Sequence, residues 1–180
     1  MKKIITGTLA LTILSSMVMA ETNNFYVGGG IVYESIDNLD AGQASELHIG
    51  KKITNNFGAE LRVSKTFNEA KYEGNYDWDK FRYVKGTQKA DLTTLGLFGT
   101  YTYTPTPNLN IVPKIGLNYL NGTVKFASGT ATKEDTITDT ALSFGVDLKY
   151  EITPDFGTYI GYTRVASDTQ HFTVGLERRF

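Results

Sequence analysis

Few residues of this 180-residue chain could do covalent or acid–base chemistry. It has no cysteine, which excludes a disulfide scaffold and thiolate metal sites. Its two histidines are His48 and His171. Ser167, Asp168 and His171 share one short segment and have the residue types of a catalytic triad. Nearness in sequence supplies neither a triad's geometry nor its oxyanion donors, and a polar loop at an outer rim accounts for the same residues. His48 stands among Glu and Lys residues, where it could be a proton switch or simply a hydrogen-bonded polar group. Asp77-Trp78-Asp79, with Glu134 and Asp135 further on, could attract calcium but falls short of its ligand count. No catalytic, cofactor-binding or metal-binding residue is assigned, and no cofactor is expected.

The remaining reactive groups are charges at regular spacing. Glu34, Glu46, His48, Lys52, Glu60, Arg62, Lys114, Asp147, Lys149, Glu151, Glu177 and Arg179 all occupy alternate positions in segments rich in Tyr, Phe, Val, Ile, Leu and Thr. Such alternation is the signature of half-buried strands. Eight are predicted, over residues 24–36, 45–54, 57–67, 92–103, 111–119, 142–152, 156–162 and 172–180. The charges share one strand face with glycines (Gly28, Gly30, Gly96, Gly116, Gly145, Gly161 and Gly175), and the apolar residues occupy the other. Tight turns are expected at 55–56, 104–108 and 153–155. Long polar loops are expected at 37–44, 68–89 and 121–139, and a short one near 166–170. Turns at one end and loops at the other mark an antiparallel up-and-down meander.

Residues 1–20 have the pattern of a secretory signal peptide. Lys2 and Lys3 precede an uncharged apolar stretch, and Val18-Met19-Ala20 supplies small residues for cleavage. The expected organisation is therefore a signal over 1–20 and one domain over 21–180. Cleavage would leave 16 bases against 19 acids, a net charge of −3. That balance argues against nucleic acid as a partner, since counterion displacement needs a basic surplus.

Alternation alone does not say which face points outward. Three features place the apolar face in lipid. Its aromatics gather at strand ends: Phe25, Phe57, Tyr101, Tyr103, Tyr150, Phe156 and Phe180 at the turn end, and Tyr33, Phe67, Tyr119, Tyr162 and Phe172 at the loop end. Two such girdles bounding an aliphatic band fit the two bilayer interfaces. The few bases on that face (Lys51, Lys65, Arg164 and Arg178) lie near strand ends, where long side chains reach water. The opposite face mixes acids and bases that can neutralise one another inside a narrow barrel. In lipid, closing the first strand on the last leaves no unpaired backbone edge.

With these features the chain resembles the small eight-stranded outer-membrane β-barrels of Gram-negative bacteria, a family that includes outer-membrane protein X, the membrane domain of outer-membrane protein A and the opacity-type proteins. The resemblance rests on Phe25-Tyr26-Val27-Gly28-Gly29-Gly30, on the turn Asn55-Asn56-Phe57-Gly58, and on a final strand with Phe172, Val174, Leu176 and Phe180 at assembly-signal spacing. Arg178 departs from that signal, where an apolar residue is usual. The resemblance implies an eight-stranded transmembrane barrel in the outer membrane with both termini periplasmic. It also implies contact with lipid and lipopolysaccharide, recognition of the last strand by the assembly machinery, and a structural or adhesive role toward host or neighbouring cells. Tyr72, Tyr76, Trp78, Phe81 and Tyr83, spread through residues 68–89, suit an adhesive surface but equally suit a strand extension. A small ion-conducting channel and a lipid-modifying enzyme stand as alternatives to the plugged, non-enzymatic barrel.

Overall fold

The computed structural model describes residues 24–36, 41–77, 83–128 and 131–180. The predicted signal peptide, Trp78 and Phe81 lie outside them. Ten strands form: β1 (Phe25–Ile36), β2 (Gly42–Lys52), β3 (Phe57–Asn68), β4 (Ala70–Asp77), β5 (Tyr83–Tyr101), β6 (Tyr103–Thr106), β7 (Leu109–Ser128), β8 (Ala131–Thr153), β9 (Phe156–Arg164) and β10 (Thr169–Arg179). Every pairing is antiparallel, in the order β1-β2-β3-β5-β7-β8-β9-β10. β10 then pairs with β1 along its length, from Tyr26↔Arg179 to Ile36↔Thr169, and closes an eight-stranded barrel. β4 continues β3 beyond Glu69, and β6 continues β5 beyond Thr102. Pro113, which has no N–H to donate, sits where β7 changes partner from β5 (Thr100↔Lys114) to β6 (Tyr103↔Ile111).

Two of the predicted loops are strands instead. Residues 70–77 pair with 83–90, and β7 and β8 pair without a break out to Ser128↔Ala131. Past the aromatic girdle both faces of β8 meet water, so the apolar alternation that marks a strand is absent there. Residues 132–140 are all exposed and are mostly Thr, Asp, Glu and Lys. The backbone still pairs there, because the register is already set by the membrane part of the same strands and because Thr favours extended chain. Residues 42–44 likewise join β2, so that loop is shorter than predicted.

The apolar face is outside. Leu47, Leu61, Leu97, Leu117, Val146, Ile160, Val174 and Leu176 are all exposed. Of the girdle residues, Tyr33, Phe57, Phe67, Tyr101, Tyr103, Tyr119, Tyr150, Phe156 and Phe172 are exposed, while Phe25, Tyr162 and Phe180 are half-buried. Neighbouring rings brace one another edge to face, as Phe57 does with Tyr101 and Tyr162 with Phe172. The buried interior is polar and charged over most of its length, with a smaller apolar cluster at Leu92, Leu120, Val165 and Ala166.

Candidate functional site

Period two carries each charged side chain from its strand into the lumen, and there the charges meet across it. Arg62 of β3 is the hub. Its Nε donates to Glu60 on the same strand, Nη1 to Glu46 Oε1 on β2 at 2.9 Å, and Nη2 to Asp147 on β8, across the barrel. The second oxygen of Asp147 accepts from Lys114 Nζ of β7 at 2.7 Å. Lys149 Nζ lies 2.5 Å from Glu177 and 3.7 Å from Glu60. His48 Nε2 is 3.3 Å from that same Glu177 oxygen. Tyr159 donates to Glu46 at 3.2 Å and stands 3.4 Å from His48 Nδ1, which closes the circuit. Removing charges from water is costly unless each keeps a partner, and every charge in this circuit has one.

Three aromatic rings line the circuit. The Tyr26 hydroxyl donates to Glu60 at 3.0 Å, and its ring lies 4.3 Å beneath Lys149 Nζ. Arg62 faces the Tyr159 ring, and Lys114 faces Phe98. Glycines make room for two of these rings. A Cβ on Gly50 would lie 2.0 Å from Tyr26, and one on Gly175 would lie 2.6 Å from Tyr159. Tyr26 alternates with the outward Phe25 and Val27 and so shares the charged face, and neither Tyr159 nor Phe98 is among the residues predicted to line the lumen. Parity alone would have found Tyr159, since placing Phe156, Ile160 and Tyr162 outside puts it inside.

The twelve charged residues predicted to line the lumen separate into three groups. Eight form the central circuit. Lys52, Glu151 and Arg179 are half-buried at the turn-end mouth, where Arg179 pairs with Glu151, and Asn110 donates to Glu151 at 2.6 Å. Glu34 stands apart near the loop end, accepting from Thr66 at 2.7 Å and facing His171 Nε2 at 3.4 Å. His171 is therefore a buried residue of β10 and not part of an outer-rim loop. It turns toward Glu34 instead of Ser167 and Asp168, so those three residues assemble no triad. Beyond Glu34 the lumen becomes apolar. Val165 and Ala166 of the β9–β10 turn fold inward against Leu92 and Leu120. Thr66 ties this cap to Glu34 through the backbone of Leu92, and Ser143 holds the carbonyl of Val165 at 2.5 Å. Among the described residues no three His, Asp or Glu side chains gather as metal ligands.

Beyond the loop-end girdle, β4, β5, β7 and β8 continue as a four-stranded sheet, β4 on one edge and residues 131–143 of β8 on the other. Of the aromatics that suit either an adhesive surface or a strand extension, Tyr72, Tyr76 and Tyr83 fall on paired strands of this extension.

The model of the outer membrane protein beta-barrel domain family matches residues 6–180. No curated protein has a significantly similar sequence. Solved structures of the same fold include Ail, the attachment invasion locus protein of Yersinia pestis, in complex with the heparin analogue sucrose octasulfate (15% identity, 88% of this chain and 100% of that one, TM-score 0.59). Neisserial surface protein A is 14% identical over 87% of this chain and 97% of its own, with a TM-score of 0.63. OprG of Pseudomonas aeruginosa is 11% identical over 88% and 96%, with a TM-score of 0.66. At these identities the likeness is one of fold.

Proposed function

The chain belongs to the outer membrane protein β-barrel family, and from that premise we propose that it is a non-enzymatic surface protein with a lumen closed by its own side chains. Its working surface is the sheet extension that projects beyond the bilayer, toward host, neighbouring cell or lipopolysaccharide. The tight turns and both termini then face the periplasm, and β10 is the strand that the assembly machinery handles. Arg62 carries the closed-lumen reading, because it holds Glu46 and Glu60 on one wall to Asp147 on the other. An eight-stranded barrel has an interior that side chains can fill, and here the apolar cap of Val165, Ala166, Leu92 and Leu120 lies over the polar circuit. The extension carries both signs of charge, Lys71, Lys89, Lys125 and Lys133 beside Glu69, Glu134, Asp135 and Asp139. This mixture favours contact with a mixed polar surface over a purely anionic one.

Conductance across planar bilayers tests the closed lumen. The wild-type barrel is expected to insert without stable openings, and Arg62→Gln to open intermittently as Asp147 is released from the far wall. Stable ohmic openings of the wild type would establish the channel alternative instead.

A further inference from the structure

Below the sheet extension the outward face of the eight barrel strands carries four bases among the described residues, and the protein treats them in two ways. At the loop end Lys65 pairs with Asp91, and Arg164 donates to the carbonyls of Ala166 and Ser167 of its own turn. At the turn end, Lys51 and Arg178 have no carboxylate within ion-pair distance among the described residues. Each lies against a ring instead: Lys51 Nζ is 4.8 Å from the centre of Phe25, and Arg178 Cζ is 5.0 Å from that of Phe180. A cation held on an aromatic face has a fixed position, unlike one swinging freely toward water.

The two bases flank the seam that closes the barrel. Lys51 stands opposite Phe25 on one side of β1, and Arg178 opposite Val27 on the other. Neighbouring strands lie about 4.8 Å apart and each residue rises about 3.4 Å, so with the two-residue offset along β1 the Lys51 and Arg178 backbones are about 12 Å apart, a gap that two long basic side chains can close on one small group. Phe156, beside Arg178 on β9, extends the ring of aromatics. The nearest outward residues, Val27, Ile49, Ala59 and Leu176, bring no acid, and Asp155 of the adjoining turn, whose carbonyl accepts from Arg179 N–H at 2.9 Å, makes no ion pair with either base. Among the described residues no carboxylate neutralises this pair of cations at the edge of the acyl layer, and an anion from outside the protein can. At that depth the anion available is the phosphate of a lipid headgroup. A zwitterionic headgroup would bring an ammonium against the guanidinium, whereas a net-anionic one would not.

We propose that Lys51 and Arg178 form a binding site for the headgroup phosphate of an anionic phospholipid at the β1–β10 seam. The site rests on the membrane-spanning reading, and in the orientation given above it faces the periplasmic leaflet.

Spin-label spectroscopy on the full barrel refolded into phosphatidylcholine vesicles tests it, with trace spin-labelled phosphatidylglycerol or phosphatidylcholine. The motionally restricted fraction is expected to favour phosphatidylglycerol. Lys51→Gln and Arg178→Gln should each reduce that preference about fivefold, and together they should abolish it. Lys65→Gln with Arg164→Gln, on the same outward face, should leave it in place. The single variants decide the matter if the double variant fails to fold. Equal restriction of both lipids, or an equal loss in the Lys65/Arg164 pair, overturns the site. Displacement of labelled phosphatidylglycerol by inorganic phosphate would also overturn it, in favour of a free-anion site. A chain that did not span the bilayer would restrict no lipid of either kind, so failure of the barrel reading is distinguishable from failure of the site.

Discussion

Arg62 has five donor positions and three carboxylates to satisfy, and among the described residues no other cation reaches all three. Glu46 depends on Arg62 together with the Tyr159 hydroxyl, Glu60 shares Lys149 at 3.7 Å, and Asp147 shares Lys114. Removing the guanidinium leaves three buried carboxylates around an apolar stub. Arg62→Met is therefore expected to destabilise the barrel by about 3–5 kcal/mol, the range for breaking a buried pair from one side. Urea unfolding of the refolded protein in bilayers measures this. Adding Glu46→Gln and Glu60→Gln to Arg62→Met should recover part of the loss, since two orphaned charges go with it while Lys114 keeps Asp147 and Lys149 keeps Glu177. An unchanged midpoint in Arg62→Met would mean that the hub is not where the energy lies. Lys149 offers a contrast, because its loss still leaves Glu60 with Arg62 and Glu177 with His48.

Strands β7 and β8 do two jobs along one length. Between Tyr150 and Leu142 the outward residues of β8 meet lipid, and from Thr140 to Thr132 both faces meet water. Barrel closure uses only the first part, since β8 leaves β9 after Phe144↔Arg164. Replacing residues 123–136 with a two-residue Asn-Gly turn between the partners Gly122 and Ile137 should therefore leave the unfolding midpoint unchanged while abolishing attachment of expressing cells to a host-cell layer. An epitope inserted at residues 129–130 should be reached by antibody on intact cells. A truncated barrel that no longer folds, or an epitope reached only after the outer membrane is opened, would reverse the assignment. The same division explains what the sequence could disclose. Alternation is strong where one face meets lipid, so the membrane strands and their turns were legible to within a few residues. In the extension, Thr, Lys and Asp occupy both faces and nothing in the pattern distinguishes a strand from a loop. Inward parity was legible for His171 and Tyr159, because their neighbours Phe172 and Ile160 face lipid. The partners of each charge were not, since Arg62 meets Asp147 only through the closure and register of eight strands. The inward turn of Val165 and Ala166 follows from the open loop end of the lumen, which no local pattern describes.

The whole molecule is a soluble protein reversed, and its stability must follow depth in the bilayer instead of burial in the chain. Leu61 and Leu97 are paired neighbours on β3 and β5, both exposed, and each lies midway between its strand's aromatic end and the loop-end pair Lys65–Asp91. In a water-soluble barrel a charge at either position would cost little. In a bilayer the same charge at the midplane costs about 2–4 kcal/mol, falling to about 0–1 near the interfaces. Leu61→Arg and Leu97→Arg are accordingly expected to lose that larger amount in bilayer-equilibrium unfolding, and Phe57→Arg, at the turn-end girdle, to lose much less from the charge itself. The comparison should be made against Leu→Ala and Phe→Ala at the same sites, so that lost ring and side-chain contacts cancel. Strand order and register predict the shape of the profile: a maximum around Leu61, Leu97 and Val174, with shoulders at the two rings of aromatics. Lys51 and Arg178 already occupy the turn-end shoulder, where the membrane can tolerate a base and supply its counter-ion. A flat profile, with the midplane and girdle substitutions equally mild, would be incompatible with a lipid-facing apolar surface and with every charge assignment made inside it.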